Sequence, residues 1–331
     1  MKVAIIGGGA WGTTLAQVLI DNGHGVLVHD QSETAIRSIA RHRHPFFGNR
    51  LDPRIAVTGS LEKAIAFSEY VLLSVPTKAV RSLLQDINRI LDHGIVLINV
   101  AKGIEPVTSK RVSEIAREEI DDEFLNGFAV LTGPSHAEEV IERKLTLLVS
   151  SSDDEELAIE VQRMFSNETY LRVYTSPDLI GCEVGGAVKN AIAVISGACT
   201  GLGLGENARA AVITRGIVEI VRVVEAMGGR KETAFGLTGI GDLIVTASSE
   251  HSRNFRAGKR IGLGVPLERI YSEEKQTIEG IRTIEAMHYI AADHGLELPM
   301  IEAAYEIITD NVRVEDALKK LLSRDLKSED F

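Results

Sequence analysis

Apolar and polar residues alternate along the first half of the chain in a pattern that predicts strands separated by helices. Short apolar runs, each typical of a buried strand, recur at 1–6, 26–29, 70–76, 94–100, 128–132, 145–150 and 170–174. Helical patterns lie between most of these runs. Strands that alternate with helices form parallel sheets through crossover connections, so the first half is predicted to be an α/β domain with a parallel sheet.

The pattern changes at about Pro177, after which strand-like runs nearly vanish. Long helical patterns replace them, for example at 210–227 and 281–295. A chain of 331 residues is also too long for one typical hydrophobic core. We therefore expect two domains, an α/β domain at 1–178 and a mostly α-helical domain at 179–331.

The first apolar run leads directly into glycines that fit the pattern G-x-G-x-x-G, at Gly7, Gly9 and Gly12. An amphipathic helical pattern follows them, and the second apolar run ends in Asp30, about 20 residues further on. In Rossmann domains such glycines allow a tight turn and close approach to a pyrophosphate, and the acid binds a ribose. Because a glycine-rich turn in an ordinary α/β domain does not need strand, helix and acid in register, we predict a dinucleotide site and hydride transfer.

Composition narrows the class of protein. The chain is 44% hydrophobic and 25% charged, as soluble globular proteins are, and its net charge of −11 argues against a nucleic-acid partner. We find no apolar stretch of membrane-spanning length and no signal peptide, so we expect no membrane insertion and a cytoplasmic location. The two cysteines, Cys182 and Cys199, have no metal-binding spacing, and no metal site is predicted.

Lys189 is the candidate acid–base group. It lies in the middle of a helical pattern of small and apolar residues, where a lysine rarely occurs without a partner. Burial or a second cation would lower its pKa towards neutrality, which suits proton exchange with an alcohol. From these residues alone, a buried structural ion pair remains equally open.

Several polar residues follow predicted strand ends or stand in glycine-rich runs. Pro76, Lys102, Gly133 and Ser135 each follow a strand, and parallel strands bring such residues to one crevice. The runs 239–243, with Asp242, and 252–254 are expected to be anion-handling loops. A solvated polar turn is the alternative for 252–254, and Glu279 is either the start of a helix or a ribose-binding carboxylate.

Together these motifs resemble the bacterial-type NAD(P)-dependent glycerol-3-phosphate dehydrogenases over nearly the whole chain. The resemblance is carried by the segments 9–13, 102–105, 133–140, 189–190, 207–211, 214–216, 239–243 and 252–254. It implies a Rossmann domain followed by a helical domain like that of 6-phosphogluconate dehydrogenase. It also implies a homodimer that transfers hydride reversibly between dihydroxyacetone phosphate and sn-glycerol 3-phosphate, a small phosphorylated substrate.

The resemblance also assigns roles to matching residues. Lys189 would be the general acid–base, Lys102 would polarise the substrate carbonyl, and Asp242 and Asn190 would orient Lys189 and the substrate hydroxyls. Ser252, Arg253 and Asn254 would bind the phosphate, and Gly133 and Ser135 would contact the substrate. The implied cofactor-binding residues are Gly7, Gly9, Ala10, Trp11, Gly12, Asp30, Pro76, Lys102, Ala137, Arg253 and Glu279.

Three departures from the family pattern matter. Ala10 stands where many members have serine, which removes one hydroxyl donor to the pyrophosphate. Asp30 follows the second strand where no arginine is present to bind a 2′-phosphate, so we expect NAD to be favoured over NADP. The basic, histidine-rich segment 41–50 replaces an asparagine–tyrosine pattern and is expected to be a mobile surface loop or, alternatively, a lid.

Two other functions remain open from the sequence. One is a dehydrogenase of the broader β-hydroxyacid and 6-phosphogluconate type, which would act on another small phosphorylated or carboxylated alcohol. The other is a dinucleotide-sensing protein that has lost catalysis, although this chain retains Lys102, Lys189 and Asp242.

Overall fold

The structure, a computed structural model, describes residues 1–105, 108–274, 278–326 and 328–329. The chain forms two compact units. The first comprises Met1–Ala101 and Arg111–Leu179, and the second comprises Lys102–Lys110 and Ile180–Phe331. The division after Leu179 lies beside the boundary expected at 178, but that boundary leaves Lys102–Lys110 in the first domain.

An eight-stranded sheet in the order β3-β2-β1-β4-β5-β6-β7-β8 forms the framework of the first unit. Its strands are β1 (Lys2–Ile6), β2 (Gly25–His29), β3 (Ala56–Thr58), β4 (Tyr70–Leu73), β5 (Ile95–Asn99), β6 (Leu125–Thr132), β7 (Thr146–Ser152) and β8 (Leu171–Ser176). The order of the first six strands is that of a Rossmann domain, as predicted.

The expectation of a parallel sheet is confirmed for every neighbouring pair of strands except one. β6 and β7 pair antiparallel, whereas all other neighbouring strands are parallel. The segment that joins them contains a helix of only five residues, α6 (Ala137–Ile141). A connection between parallel strands must return to the end of the sheet where the first strand began. The short connection here favours a β7 that runs in the opposite direction to β6.

Six further helices complete the first unit: α1 (Ala10–Asp21), α2 (Glu33–Ala40), α3 (Leu61–Ile65), α4 (Thr77–Asn88), α5 (Val112–Glu119) and α7 (Glu155–Phe165). Side chains of Ser32, Ser60 and Asp154 accept first-turn amides at the starts of α2, α3 and α7. α1 is buried along most of its length, and its Leu15 and Leu19 pack in one core with strand residues such as Ile5.

The described residues of the second unit form helices and no strand, as expected. The helices are α8 (Leu179–Gly201), α9 (Gly205–Ala226), α10 (Lys231–Ala234), a π-helical turn (Leu237–Gly241), α11 (Asp242–Ala247), α12 (Arg253–Gly262), α13 (Leu267–Glu273), α14 (Glu279–His294), α15 (Pro299–Thr309) and α16 (Val314–Leu322). α8 is central, and its Val188 and Ile192 are fully buried in a core that also contains Ile220 and Ile284.

Glycines let α8 and α12 pack with their backbones in contact. A Cβ atom at Gly197 of α8 would lie 2.1 Å from the carbonyl oxygen of Phe255, and one at Gly258 of α12 would lie 1.9 Å from that of Val194. Neither position can hold a larger residue without moving a helix. This close approach brings the start of α12 to the middle of α8.

The expectation that no apolar stretch could span a membrane is wrong for α8. This helix is long and apolar enough, with a mean hydropathy of 1.4 over 18 residues, but 89% of that window is buried inside the protein. It also carries an acidic and a basic residue, Glu183 and Lys189. Such burial is typical of the core helix of a globular domain.

Candidate active site

The glycine-rich segment joins β1 to α1, as predicted. Gly7 has a φ of 111°, and a Cβ atom there would lie 2.4 Å from the carbonyl oxygen of Ser74. A Cβ at Gly12 would lie 2.0 Å from the carbonyl oxygen of Gly7, whereas one at Gly9 would meet nothing within 4 Å. Among the described residues, no side chain caps the N-terminus of α1. The segment therefore fits a pyrophosphate bound by backbone amides at a helix N-terminus.

Asp30 stands against this glycine segment. Its Oδ2 accepts a hydrogen bond from the Gly8 amide at 2.7 Å, and its Oδ1 accepts one from the Ser32 amide at 2.7 Å. The sequence predicts a ribose-binding carboxylate here. The structure adds a second role, because the same carboxylate fixes the backbone of the glycine segment.

Other predicted residues of the first unit lie at the same edge of its sheet. β1, β4 and β6 run in one direction, so their carboxyl ends lie along one edge. Pro76 follows β4 as the N-cap of α4. Gly133, with a φ of 128°, follows β6, and its carbonyl oxygen accepts a hydrogen bond from the Ser135 hydroxyl at 2.9 Å. Ala137 then begins α6.

In the second unit, two lysines share one buried aspartate. Lys189 Nζ lies 3.0 Å from Asp242 Oδ1, and Lys102 Nζ lies 2.6 Å from Asp242 Oδ2. Lys189 is 4% exposed and Asp242 is 2% exposed. The structure thus brings together the three residues predicted to be catalytic. Two ammonium groups around one carboxylate leave the cluster with an excess of positive charge.

The local fold explains why Asp242 reaches the lysines. It is the first residue of α11, directly after the π-helical turn, and such turns occur often at functional sites. A Cβ at Gly239 in this turn would lie 2.0 Å from the carbonyl oxygen of Ala234, so the turn requires glycine. The expectation of a loop at 239–243 is wrong, since the segment is helical and its Asp242 pairs with two lysines.

The surroundings adjust the proton affinity of the cluster. Burial lowers the pKa of Lys189, the charge of Asp242 opposes that effect, and Lys102 and Arg253 lower it further, to about 8. Burial by itself would raise the pKa of Asp242, but Lys102 and Lys189 outweigh it and hold this pKa below its usual value. Near neutral pH, Lys189 therefore carries a proton that it can donate and regain.

The run 252–254 is the start of α12, and the expectation of a loop there is wrong. The Ser252 side chain accepts the Phe255 amide at 3.2 Å as an N-cap. Arg253 is the first helical residue, and its charge acts on Lys189. Glu279 is likewise the first residue of α14. A helix start suits an anion because it presents backbone amides and the positive end of the helix dipole.

In the segment 41–50, the side chain of His44 contacts α1. His44 is 1% exposed, and its Nε2 lies 3.1 Å from the Ala10 carbonyl oxygen. Its Nδ1 accepts the amides of Phe46 and Phe47, each at 3.2 Å, and its ring stacks on Phe47. Nδ1 is thus the acceptor and Nε2 carries the proton. Burial lowers the pKa of His44 to about 4. These contacts argue against a freely mobile loop.

Comparison with known proteins identifies the family. The N-terminal family profile of NAD-dependent glycerol-3-phosphate dehydrogenase matches residues 2–158, and the C-terminal profile matches residues 178–319. The chain belongs to this family. The resemblance inferred from the motifs is therefore confirmed, and the protein is an oxidoreductase.

Similar proteins cover the chain almost completely. The glycerol-3-phosphate dehydrogenase (NAD(P)+) of Acholeplasma laidlawii is 59% identical over 329 residues, which are 99% of each chain. The corresponding enzyme of Bacillus cereus strain G9842 is 45% identical over 331 residues, with 99% of this chain and 97% of that one covered. The crystal structure of glycerol-3-phosphate dehydrogenase from Coxiella burnetii has a TM-score of 0.91 at 30% identity, and covers 98% of this chain and 99% of the other.

Thr246 also belongs to the lysine cluster, although the sequence analysis did not predict it. Thr246 Oγ1 accepts a hydrogen bond from Lys189 Nζ at 2.7 Å and donates one to the Asp242 carbonyl oxygen at 2.6 Å. Asp242 and Thr246 are four residues apart, so they share one face of α11. That spacing, taken with the family motif at Asp242, is the signal that could have identified it.

Proposed function

We propose that this chain interconverts dihydroxyacetone phosphate and sn-glycerol 3-phosphate, with a nicotinamide dinucleotide as hydride carrier. The observation that supports this best is the buried cluster of Lys189, Lys102 and Asp242. An alcohol–ketone interconversion needs a proton donor and acceptor, and it needs positive charge at the oxygen that becomes anionic. The names of the similar enzymes suggest which alcohol it is.

Lys189 would transfer the proton. In ketone reduction, its ammonium group gives a proton to the C2 oxygen while C2 gains hydride. In alcohol oxidation, the neutral amine takes the hydroxyl proton while the C2 hydrogen leaves as hydride. An ammonium group has three N–H donors, and Asp242 and Thr246 receive two of them. They thereby orient the third towards the substrate oxygen.

Lys102 would stabilise the charge that develops on the C2 oxygen. Its ammonium group is anchored by Asp242 at 2.6 Å, and its side chain is 19% exposed, so it remains accessible to a ligand. A cation already fixed in a largely dry site stabilises an alkoxide without further reorganisation. Its charge also keeps the pKa of Lys189 near the working range.

The substrate phosphate would bind at the start of α12. Arg253 offers a planar pair of donors, Ser252 offers a hydroxyl, and the helix offers first-turn amides. The resemblance adds Gly133 and Ser135 of the first unit as substrate contacts. Asn190 would help to orient the catalytic lysines.

The dinucleotide would bind at the glycine segment of the first unit. When bound, it supplies or accepts the hydride. Gly7, Gly9, Ala10 and Gly12 would hold the pyrophosphate and Trp11 would line the site. The resemblance adds the remaining cofactor contacts, which are Pro76, Lys102, Ala137, Arg253 and Glu279.

We propose that NAD is favoured over NADP. Both oxygens of Asp30 are fixed by backbone amides, so its charge stays where a 2′-phosphate would have to bind. Gln31 follows it in place of an arginine. Arg37, which could otherwise bind a 2′-phosphate, pairs with Glu33 at 2.8 Å on α2. A free ribose diol can instead donate hydrogen bonds to Asp30.

Initial rates with sn-glycerol 3-phosphate, measured at the nicotinamide absorbance with NAD and then with NADP, test both proposals. Faster turnover with NAD would support the reaction and the role of Asp30. Faster turnover with NADP would support the reaction but contradict that role. No turnover with either cofactor, when a dinucleotide still binds, would overturn the substrate assignment and favour another phosphorylated or carboxylated alcohol.

We also propose that the enzyme acts in the cytoplasm as a homodimer. The resemblance implies the dimer, and neither Cys182 nor Cys199 forms a disulfide among the described residues, as is usual in a reducing compartment. Sedimentation equilibrium on the active protein tests the oligomeric state. A fully active monomer would contradict the dimer.

A further inference from the structure

The inserted segment, as we call residues 102–110, belongs to the second unit, although the chain before and after it belongs to the first. Two backbone hydrogen bonds hold the segment together. The Glu105 amide donates to the carbonyl oxygen of Lys110 at 3.0 Å, and the Ser109 amide donates to that of Glu105 at 2.8 Å. The segment is therefore a closed loop, and Lys102 is its first residue.

One side chain of the inserted segment enters the core of the second unit. Ile104 is 2% exposed and belongs to the same hydrophobic core as Val188 and Ile192 of α8. Among the described residues of the segment, which are 102–105 and 108–110, Ile104 alone has a hydrophobic side chain. Because the removal of apolar surface from water favours this burial, Ile104 is the apolar anchor of the described segment.

Lys102 lies two positions before Ile104, and its ammonium group is in a place that charge alone does not secure. Lys102 and Lys189 both pair with Asp242, so two like charges stand close together and repel each other. The Lys102 side chain is 19% exposed, so water competes with Asp242 for its charge. An anchor on the nearby backbone favours the position beside Asp242 over one turned towards solvent.

We propose that Ile104 is a positioning residue that holds the ammonium group of Lys102 beside Asp242 by anchoring the inserted segment in the core. The Lys102 carbonyl oxygen also accepts a hydrogen bond from Asn190 Nδ2 of α8 at 3.0 Å, so the backbone meets the second unit on both its polar and its apolar side. This inference rests on the proposed function, because it concerns the charge that Lys102 would bring to the C2 oxygen.

A shift of Lys102 has two consequences for ketone reduction. Its charge leaves the place where it would stabilise the C2 oxygen, so kcat falls. Its charge also lowers the pKa of Lys189 to a smaller extent, so that pKa rises. Because reduction needs the protonated form of Lys189, the pH limit above which reduction slows should rise as well. A residue with a merely structural role would leave this limit in place.

The test is a double-mutant cycle between Ile104 and Lys102. Ile104→Ala and Lys102→Met are made singly and together, and kcat and KM for dihydroxyacetone phosphate are measured with NADH over a range of pH. Ile290→Ala is the matched control, made with and without Lys102→Met, because Ile290 is 1% exposed and lies in the same core, on α14. Thermal unfolding followed by circular dichroism measures how much stability each core variant loses.

We expect Ile104→Ala to lower kcat roughly 10- to 100-fold, as small misplacements of catalytic groups do, and to raise the pH limit of reduction. When Lys102→Met is already present, Ile104→Ala should change kcat by less than about twofold and leave the limit unchanged, because the charge that it positions is absent. Ile290→Ala should lose stability but keep the pH limit in both backgrounds. Should Ile104→Ala fail to fold, Ile104→Val should give the same changes at smaller size.

Three results would overturn the inference. Loss of kcat by the same factor with and without Lys102 would mean that Ile104 does not act through this lysine. Loss of kcat with an unchanged pH limit would mean that the charge of Lys102 has not moved. Wild-type kinetics in Ile104→Ala would show that the anchor is not needed. A wild type that does not reduce dihydroxyacetone phosphate at all is a separate result, and it contradicts the proposed function itself.

Discussion

The glycine segment of the first unit and the lysine cluster of the second are both built around helix starts, but from different groups. The glycine segment is contiguous, at residues 7–12, and would bind its ligand mainly through backbone amides. The cluster unites side chains that are 53 and 140 positions apart in the chain, each with a charge that acts on the others. The comparison teaches that the first site should tolerate side-chain changes, whereas the second should fail when one charge is removed.

The largest effect is expected from Lys189→Met, which removes the proton donor and keeps an unbranched, apolar side chain in the same buried place. The value of kcat for dihydroxyacetone phosphate should fall by roughly 10² to 10⁴, the usual contribution of a positioned acid–base group. Binding of NADH, followed by the fluorescence of Trp11, should not change. Lys259→Met on the exposed face of α12 is the matched control. A fall in kcat of less than tenfold would contradict the role of Lys189.

Asp242→Asn should give the next largest loss, roughly 10²-fold in kcat, because it leaves two lysines without their shared carboxylate. The charge of Asp242 raises the pKa of Lys189, so its removal lowers that pKa below about 8. Ketone reduction should then decline at lower pH than in the wild type. The pH–rate profile tests this sign, and a limit that moves upwards would show that Asp242 does not support the protonated lysine.

His44 is a buried titrating side chain that contacts Ala10, the first residue of the helix that follows the glycine segment. Its pKa is depressed from 6.5 to about 4, so its contribution to stability is present above pH 6.5 and is lost as the pH falls through 4. The free energy of unfolding should drop by up to about 3 kcal/mol over this range. In His44→Asn this part of the drop should be absent. Urea unfolding followed at Trp11, the one tryptophan of the sequence, measures it.

Equal pH dependence of the wild type and His44→Asn would contradict this account. Gln17→Ala is a useful comparison, because Gln17 does not titrate. Its side chain also holds α1 to the chain after segment 41–50, where it accepts the Asp52 amide at 2.9 Å. The variant should not reproduce the loss of stability between pH 6.5 and 4, because the titrating group that Gln17 contacts is Asp21, whose pKa is lowered from an ordinary value of 3.8.

A smaller change is expected from Asp30→Asn, which removes the charge at the ribose but keeps one acceptor for Gly8. The KM for NAD should rise roughly tenfold, which corresponds to about 1.4 kcal/mol, and the KM for NADP should fall or stay constant. Steady-state rates with both cofactors measure the ratio. Arg37→Ala serves as the control and should leave the ratio unchanged. A ratio that stays constant in Asp30→Asn would remove Asp30 from cofactor selection.

Much of the fold could be predicted because its signals are local. Tyr70–Leu73 and Ile95–Asn99 are continuous apolar runs and were predicted as buried strands. β3 has only three residues and gave no such run. The direction of β7 could not be predicted either, because hydrophobic periodicity is the same for parallel and antiparallel pairing.

The candidate site also has a part that the sequence could predict and a part that it could not. The glycine segment and Asp30 could be read from spacing alone. The partner of Lys189 could not, because Asp242 and Thr246 reach it only through the packing of α11 on α8, and the family motif supplied Asp242. His44 was assigned to a mobile loop because its burial against Ala10 and Thr14 depends on contacts more than 25 positions away.

The smallest effect is expected from Ala10→Ser, which restores the residue that many family members have. A serine hydroxyl must be fixed in one rotamer before it can donate to the pyrophosphate, and that ordering offsets part of the gain. The KM for NAD should therefore fall by roughly two- to tenfold at most. The informative contrast is Ala10→Pro. Ala10 is the first residue of α1, where proline is favoured, and the extended backbone of Gly9 suits the residue before proline.

Ala10→Pro therefore keeps the start of the helix but removes one backbone N–H. If backbone amides hold the pyrophosphate, this loss should weaken NADH binding by more than Ala10→Ser strengthens it. A main-chain amide at a helix start is already ordered, so its hydrogen bond to a charged group contributes the full value of about 1.5–3 kcal/mol. Titration of Trp11 fluorescence with NADH measures both variants. Intact binding in Ala10→Pro, with far-ultraviolet circular dichroism unchanged, would mean that the side chains around the glycine segment hold the cofactor. The contrast between a backbone-built and a side-chain-built site would then no longer hold.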